Sequence, residues 1–140
     1  MRSSGTMIPR SDIEWLVKAM AAHYELPVAA SLRQCEAYSN FEIVSMRGGG
    51  GRGLMGITDE FAKKYKIKHK EWRDNVSGGL RIMSELRKLF GGDYARALGA
   101  YEIGIEPMKE LLNLYGPKWG NHLKPEVREL LERVINDKKI

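Results

Sequence analysis

Glu36 is the residue of this chain best placed to do acid chemistry. The stretch from Pro27 to about Tyr38 reads as a helix, with Pro27 suited to a first helical position. On that helix Val28, Leu32 and Glu36 fall at i, i+4 and i+8, one row, with Cys35 beside them. A carboxyl that continues an apolar row is partly desolvated, and in the last turn it lies near the negative end of the helix dipole. Both effects favour its neutral form. A neutral carboxylic acid can protonate the leaving oxygen of a glycosidic bond and then serve as a base. Spacing alone also allows a second reading, a rim glutamate that reaches water or pairs with Arg33 or Arg52.

Other chemistries find less support. Cys35 is the one cysteine, which rules out an intrachain disulfide and a paired-cysteine metal site. His23, His69 and His122 are scattered and make no metal-ligand spacing, so neither metal nor cofactor is expected. The net charge of +5 favours polyanionic partners, whether nucleic acid, anionic lipid or an acidic wall polymer. A solvated surface with a modest cationic excess explains the same charge. The basic residues are interleaved with acids and no nucleic-acid motif is present, so nucleic acid is not an expected partner. No apolar run approaches a membrane span, and stable membrane insertion is not expected.

The elements that must hold Glu36 read as helices almost throughout. Ser11-Asp12-Ile13-Glu14 has the capping-box pattern, and Ile13, Leu16, Val17 and Met20 follow as one apolar stripe. Ser39 to Gly56, with Gly48-Gly49-Gly50-Gly51 and Gly53, is a loop or a short hairpin. Thr58-Asp59-Glu60 opens another helix through Phe61, Ala62 and Tyr65. Asn75 is placed to cap a long helix running to Phe90, which Gly91-Gly92 stop. Asp93 caps a helix ending near Gly104, and Pro107 and Pro125 each sit where a helix would begin. Val127, Leu130, Leu131, Val134 and Ile135 mark the core stripe of the last one. The expected organisation is a tail over residues 1–10 and one helical domain over 11–140. Residues 1–6 read as an added remnant before a natural start at Met7, and no apolar segment behind Arg2 suggests a secretory leader.

Three blocks of this sequence resemble the lytic transglycosylases of the SLT type. Gln34-Cys35-Glu36-Ala37, then Ser45 nine residues after Glu36, then Gly53-Leu54-Met55, resemble a helix-terminal Glu-Ser, a later Ser and Gly-Leu-Met-Gln. The run Asn75-Val76-Ser77-Gly78-Gly79 resembles the family's Asn-Ile-x-x-Gly. Ala97-Leu98, Ala100-Tyr101-Glu102 and Gly104 resemble its Ala-Leu-Ala-Ala-Tyr-Asn-x-Gly. The likeness covers roughly Ser31 to Gly104 and leaves both flanks unexplained. It implies an all-α, lysozyme-like fold of the SLT and goose-type lysozyme kind, with the glycine-rich segment at the active site.

The resemblance also implies roles. Glu36 would be the acid/base, and Ser45 would contact sugar or orient the catalytic groups. Gly53, Leu54 and Met55 would line the cleft, and Tyr101 would hydrogen-bond near Glu36. Leu54 and Met55 could instead be core, as could Tyr101 with a satisfied hydroxyl. The departures are Ala37 for Ser, Gly56 for Gln, Glu102 for Asn, and a somewhat longer glycine-rich segment. Glu102 is either a second carboxylate at the substrate or a helix-end surface residue. The implied partner is peptidoglycan, cleaved between N-acetylmuramic acid and N-acetylglucosamine with closure of a 1,6-anhydro ring rather than attack of water. A muramidase on the same fold and a degenerate glycan-binding module are the alternatives. With murein outside the cytoplasm and no leader read, the expectation is a bacteriophage protein, virion-borne or released at lysis. Oligomeric state is not legible.

Overall fold

The structure, a computed structural model, describes residues 8–47 and 50–136. Among the described residues seven α-helices follow one another: α1 (Arg10–His23), α2 (Val28–Ser39), α3 (Asp59–Tyr65), α4 (Trp72–Leu89), α5 (Tyr94–Ile103), α6 (Ile105–Tyr115) and α7 (Pro125–Ile135). A 3-10 turn over Gly116–His122 lies between the last two. Among the described residues there is no strand, only isolated antiparallel bridges of Arg52 with Met46 and with Ile57. No helix among them is long and apolar enough to cross a membrane. The chain groups into two compact units, residues up to Arg81 and residues from Ile82 on, with α4 running through the boundary.

In the first unit α1 packs on α2. The buried face of α1 is Ile13, Val17 and Ala21; of the expected stripe Ile13 and Val17 lie on it, while Leu16 and Met20 are half-buried. Its start differs from the expected capping box. Pro9 is the N-cap, and its carbonyl accepts from Asp12 N at 3.0 Å, so Ser11 already lies inside the helix. Pro9 has the fixed φ that suits a helix entry and pulls the start forward. Glu14 is thereby freed for Arg10, whose Nε donates to Glu14 Oε2 at 2.9 Å, one helical turn away.

Pro27 caps α2, and the fully buried Ser31 hydroxyl donates back to the Pro27 carbonyl at 2.8 Å. The helix ends where Asn40 turns left-handed at φ 51° and donates its N–H to the Glu36 carbonyl. Phe41 follows at φ 62°, a conformation unusual for a bulky residue. It is held there from two sides: its N–H donates to Ser39 Oγ at 3.2 Å, and its ring lies under the Arg10 guanidinium at 4.1 Å.

Gly48 and Gly49 of the glycine-rich segment lie outside the described residues; from Arg52 to Ile57 the chain forms a narrow hairpin. Arg52 and Ile57 exchange both backbone hydrogen bonds at 2.9 Å, and Gly53 N donates to the Ser45 carbonyl at 2.9 Å. Thr58 caps α3 as expected, its hydroxyl accepting from Phe61 N. α4 begins at Trp72, ahead of Asn75. Glu71 is the residue that satisfies its first turn, its carboxylate accepting from Arg73 N and Asp74 N, each at 3.1 Å. Asn75 is therefore no cap. It lies inside α4, fully buried, and serves the hairpin instead.

In the second unit α5 packs on α6 and α7, and α6 on the 3-10 turn. Asp93 caps α5 by accepting from Arg96 N at 3.0 Å. The core there includes Leu98, Tyr101, Met108, Trp119, Leu131 and Val134. Pro125 opens α7, whereas α6 starts at Ile105 and carries Pro107 within its first turn, where no N–H is needed.

Candidate active site

α2 delivers Glu36 to its last turn, and the flanking residues say which way the helix faces. Its buried side consists of Ala30, Ser31, Gln34, Cys35, Tyr38 and Ser39. The row of Val28, Leu32 and Glu36 lies on the other side: Val28 is exposed, Leu32 half-buried, and the Glu36 side chain 50% exposed. The expectation of an acid desolvated by its own helix is thus corrected, because α2 buries a face rich in small and polar residues rather than the row that carries Val28 and Leu32. Its ion-pair partner is one that the spacing did not single out. Arg10 Nη2 stands 3.6 Å from Glu36 Oε2, while Arg52 turns to Asp59 at 3.4 Å.

Arg10 is fixed on three sides, by Glu14, by Glu36 and by the Phe41 ring. It gives the carboxylate one preferred direction. The neighbouring Cys35 offers no rival nucleophile. Its thiol is wholly buried, and desolvation pushes it up to about 12, against a smaller lowering by the Ser39 hydroxyl.

Beyond α2 the hairpin forms one wall of a cleft of about 420 Å³, whose lining includes Ser45, Met46, Arg52, Gly53, His69 and Trp72. Val44 and Met46 present apolar surface there, 86% and 62% exposed. Two predicted site residues, Ser45 and Gly53, are therefore brought together at this cleft, joined by their backbone hydrogen bond. Leu54 and Met55 are fully buried, so their side chains belong to the core behind the hairpin. Tyr101 is buried within α5 of the second unit, and Glu102 beside it is half-buried.

Asn75 ties the hairpin to α4. Its Oδ1 accepts from Met55 N at 2.7 Å, and its Nδ2 donates to the carbonyls of His69 at 2.7 Å and Arg52 at 2.9 Å. Gly53 must be glycine at this junction, since a Cβ there would lie 2.4 Å from Asn75 Nδ2. Sequence reasoning missed this tie, and also Arg10, His69 and Trp72. The pattern signal for Asn75, a polar residue ahead of an apolar run, pointed to a local role.

Asp59 pairs with two residues of the cleft lining, its Oδ1 2.7 Å from His69 Nε2 and 3.4 Å from Arg52 Nε. That hydrogen bond first, and Arg52 after it, hold the Asp59 carboxyl below the usual carboxylate range. A depressed carboxyl contributes stability that is present above its unfolded value and lost as the pH falls through the folded one. Asp59→Asn is therefore expected to flatten the acid limb of the stability curve below about pH 4, as read by thermal unfolding across pH. An unchanged limb would mean the pair contributes nothing in solution.

No family model matches the chain. Among solved structures it is similar to an inactive Glu-to-Gln mutant of the lytic transglycosylase Slt from Pseudomonas aeruginosa, with a TM-score of 0.72 and 20% identity. The match covers 86% of this chain and 22% of that one, so the chain spans less than a quarter of Slt's length. In fold, then, the chain is all-α and lysozyme-like, with the architecture found in lytic transglycosylase Slt.

Proposed function

We propose that the chain is a lytic transglycosylase that cleaves the β-1,4 bond between N-acetylmuramic acid and N-acetylglucosamine in peptidoglycan, with Glu36 as its acid/base. The observation that carries this reading is one arrangement: an oriented, half-exposed glutamate ends α2, and the hairpin that follows lines a cleft, on a transglycosylase fold. Sugar rings laid over Glu36 would exclude water from it, the condition in which a carboxyl transfers a proton well. Trp72, Val44 and Met46 offer apolar surface to the C–H faces of the rings, while Ser45 and backbone groups of the hairpin meet hydroxyl and acetamido groups.

In the proposed reaction the Glu36 carboxyl donates its proton to the glycosidic oxygen as the bond to C1 of the muramic ring breaks. The substrate's own N-acetyl group stabilises the cation. The C6 hydroxyl of the same ring then attacks C1 and returns its proton to Glu36, so no water is consumed. Leu54 and Met55 would act from the core, by fixing the backbone beside Gly53. The net charge of +5 suits an anionic wall.

A suspension of purified murein tests the reading. Turbidity should fall on adding the protein, and the rate should drop as salt screens the attraction to the wall. Binding to murein without any clearing would leave the glycan-binding module as the better reading. Clearing that yields ordinary reducing ends would make the protein a muramidase and turn attention to Glu102.

A further inference from the structure

The hairpin is threaded by a side chain that no motif singles out. Arg47 lies half-buried in a slot between Gly51 and Gly56, its Nε donating to the Gly56 carbonyl at 2.9 Å. Its guanidinium sits 4.5 Å over the ring of Tyr38, in the last turn of α2 two residues beyond Glu36. Its backbone closes the same turn, with Arg47 N donating to the Gly51 carbonyl at 2.9 Å and Gly50 N to the Arg47 carbonyl at 3.1 Å.

Gly56 is shaped around this arginine, and Gly51 around the arginine and the Gly56 carbonyl together, which a Cβ at Gly51 would approach to 2.3 Å. A Cβ at Gly51 would lie 2.4 Å from Arg47 Nε, and a Cβ at Gly56 would lie 2.5 Å from Nε and 2.7 Å from Cδ. Gly56 also holds φ +56°, which a side chain adopts only with strain. The space where a side chain at position 56 would begin is filled by Arg47. The absence of a side chain there is the room the arginine needs.

From this packing we infer that Arg47 is a positioning residue of the active site, a clasp that fastens the cleft-lining hairpin to the end of the helix bearing Glu36. The inference rests on the catalytic reading above for its consequence, though not for the clasp itself. Arg47 touches Tyr38 on one side and the Gly56 backbone on the other, and Gly53 and Ser45 belong to the same hairpin. Without it, the groups that orient the sugar would no longer be held in register with Glu36. Lysine cannot replace it, because an ammonium has neither the planar face for Tyr38 nor the Nε donor for Gly56.

The test combines amide hydrogen exchange with steady-state cleavage of murein glycan by Arg47→Ala, Arg47→Lys, Gly56→Ala and the Arg47→Ala/Gly56→Ala double variant. In Arg47→Ala the amides of Arg52, Gly53, Gly56 and Ile57 should exchange at least about tenfold faster, with those of α1 unchanged. Its kcat should fall on the order of a hundredfold, more than KM rises, because misplaced groups lose transition-state geometry. Arg47→Lys should not rescue it. Gly56→Ala should cost about tenfold in kcat in the parent and less once Arg47 is gone, the part that remains being the φ strain and the Tyr38 ring, since only the contest for the slot is relieved. Unchanged exchange in Arg47→Ala overturns the clasp, and a loosened hairpin with full kcat overturns its positioning role. If the parent protein releases nothing from murein, the catalytic reading has failed and the exchange data alone decide whether the clasp exists.

Discussion

Glu36→Gln is expected to lower the rate of murein cleavage by at least about a thousandfold while leaving the fold intact. Glutamine matches glutamate in shape but has no acidic proton to give to a leaving oxygen and cannot accept one from the C6 hydroxyl. In a reaction with no protein nucleophile, both proton transfers fall on this one group, so its loss removes both steps. The structure gives little reason for a stability effect. Glu36 is half-exposed and its partner Arg10 is 55% exposed, a surface pair worth under about 1 kcal/mol. Thermal unfolding measured beside the clearing rate separates the two effects. A variant that is folded and still active would move the acid role to another residue.

The second large effect is on stability. Asn75→Leu keeps the approximate volume of the side chain but removes three hydrogen bonds at a position with no exposure. Met55 N–H and the carbonyls of His69 and Arg52 would be left without that partner, at about 1–3 kcal/mol each where water cannot reach them. The sum for partly relaxed groups is about 4 kcal/mol, a large fraction of what a chain this size has in reserve. Denaturant unfolding of both proteins measures it. Asn75→Asp should rescue little. It keeps the acceptor for Met55 but turns a buried carboxylate toward two carbonyls. A loss under about 1 kcal/mol for Asn75→Leu would show that the hairpin finds other partners when the amide is removed.

Asn75 also shows where sequence reading stops. An asparagine ahead of an apolar run looks like a cap because caps are local and follow from order along the chain. Glu71 takes that role through its own carboxylate, and two of the three bonds of the Asn75 amide go to Met55 and Arg52, far back along the chain. Local signals elsewhere were read correctly for the same reason: Thr58 and Asp93 are true caps, and Pro27 and Pro125 open their helices. The lysozyme-like all-α class followed from such signals together with the family blocks.

The surroundings of Glu36 were harder. Val28 and Leu32 drew attention as the apolar row, yet α2 buries the face of Ala30, Ser31, Gln34 and Cys35. Small side chains allow close helix approach, and hydrophobicity alone does not report that. Arg10 reaches Glu36 only because α1 begins at Pro9 and packs on α2. Gly56 read as a lost amide when taken as one letter in a motif. Its neighbour Arg47 gives it a positive reason, visible only once the hairpin is folded.

The most direct test of the catalytic account is the mass of the muropeptides released from purified murein by the unmodified protein and by Glu36→Gln. The account predicts products one water lighter than hydrolytic ones, with a closed anhydro ring, from the unmodified protein only. Products of hydrolytic mass, or anhydro products that persist with Glu36→Gln, would contradict it.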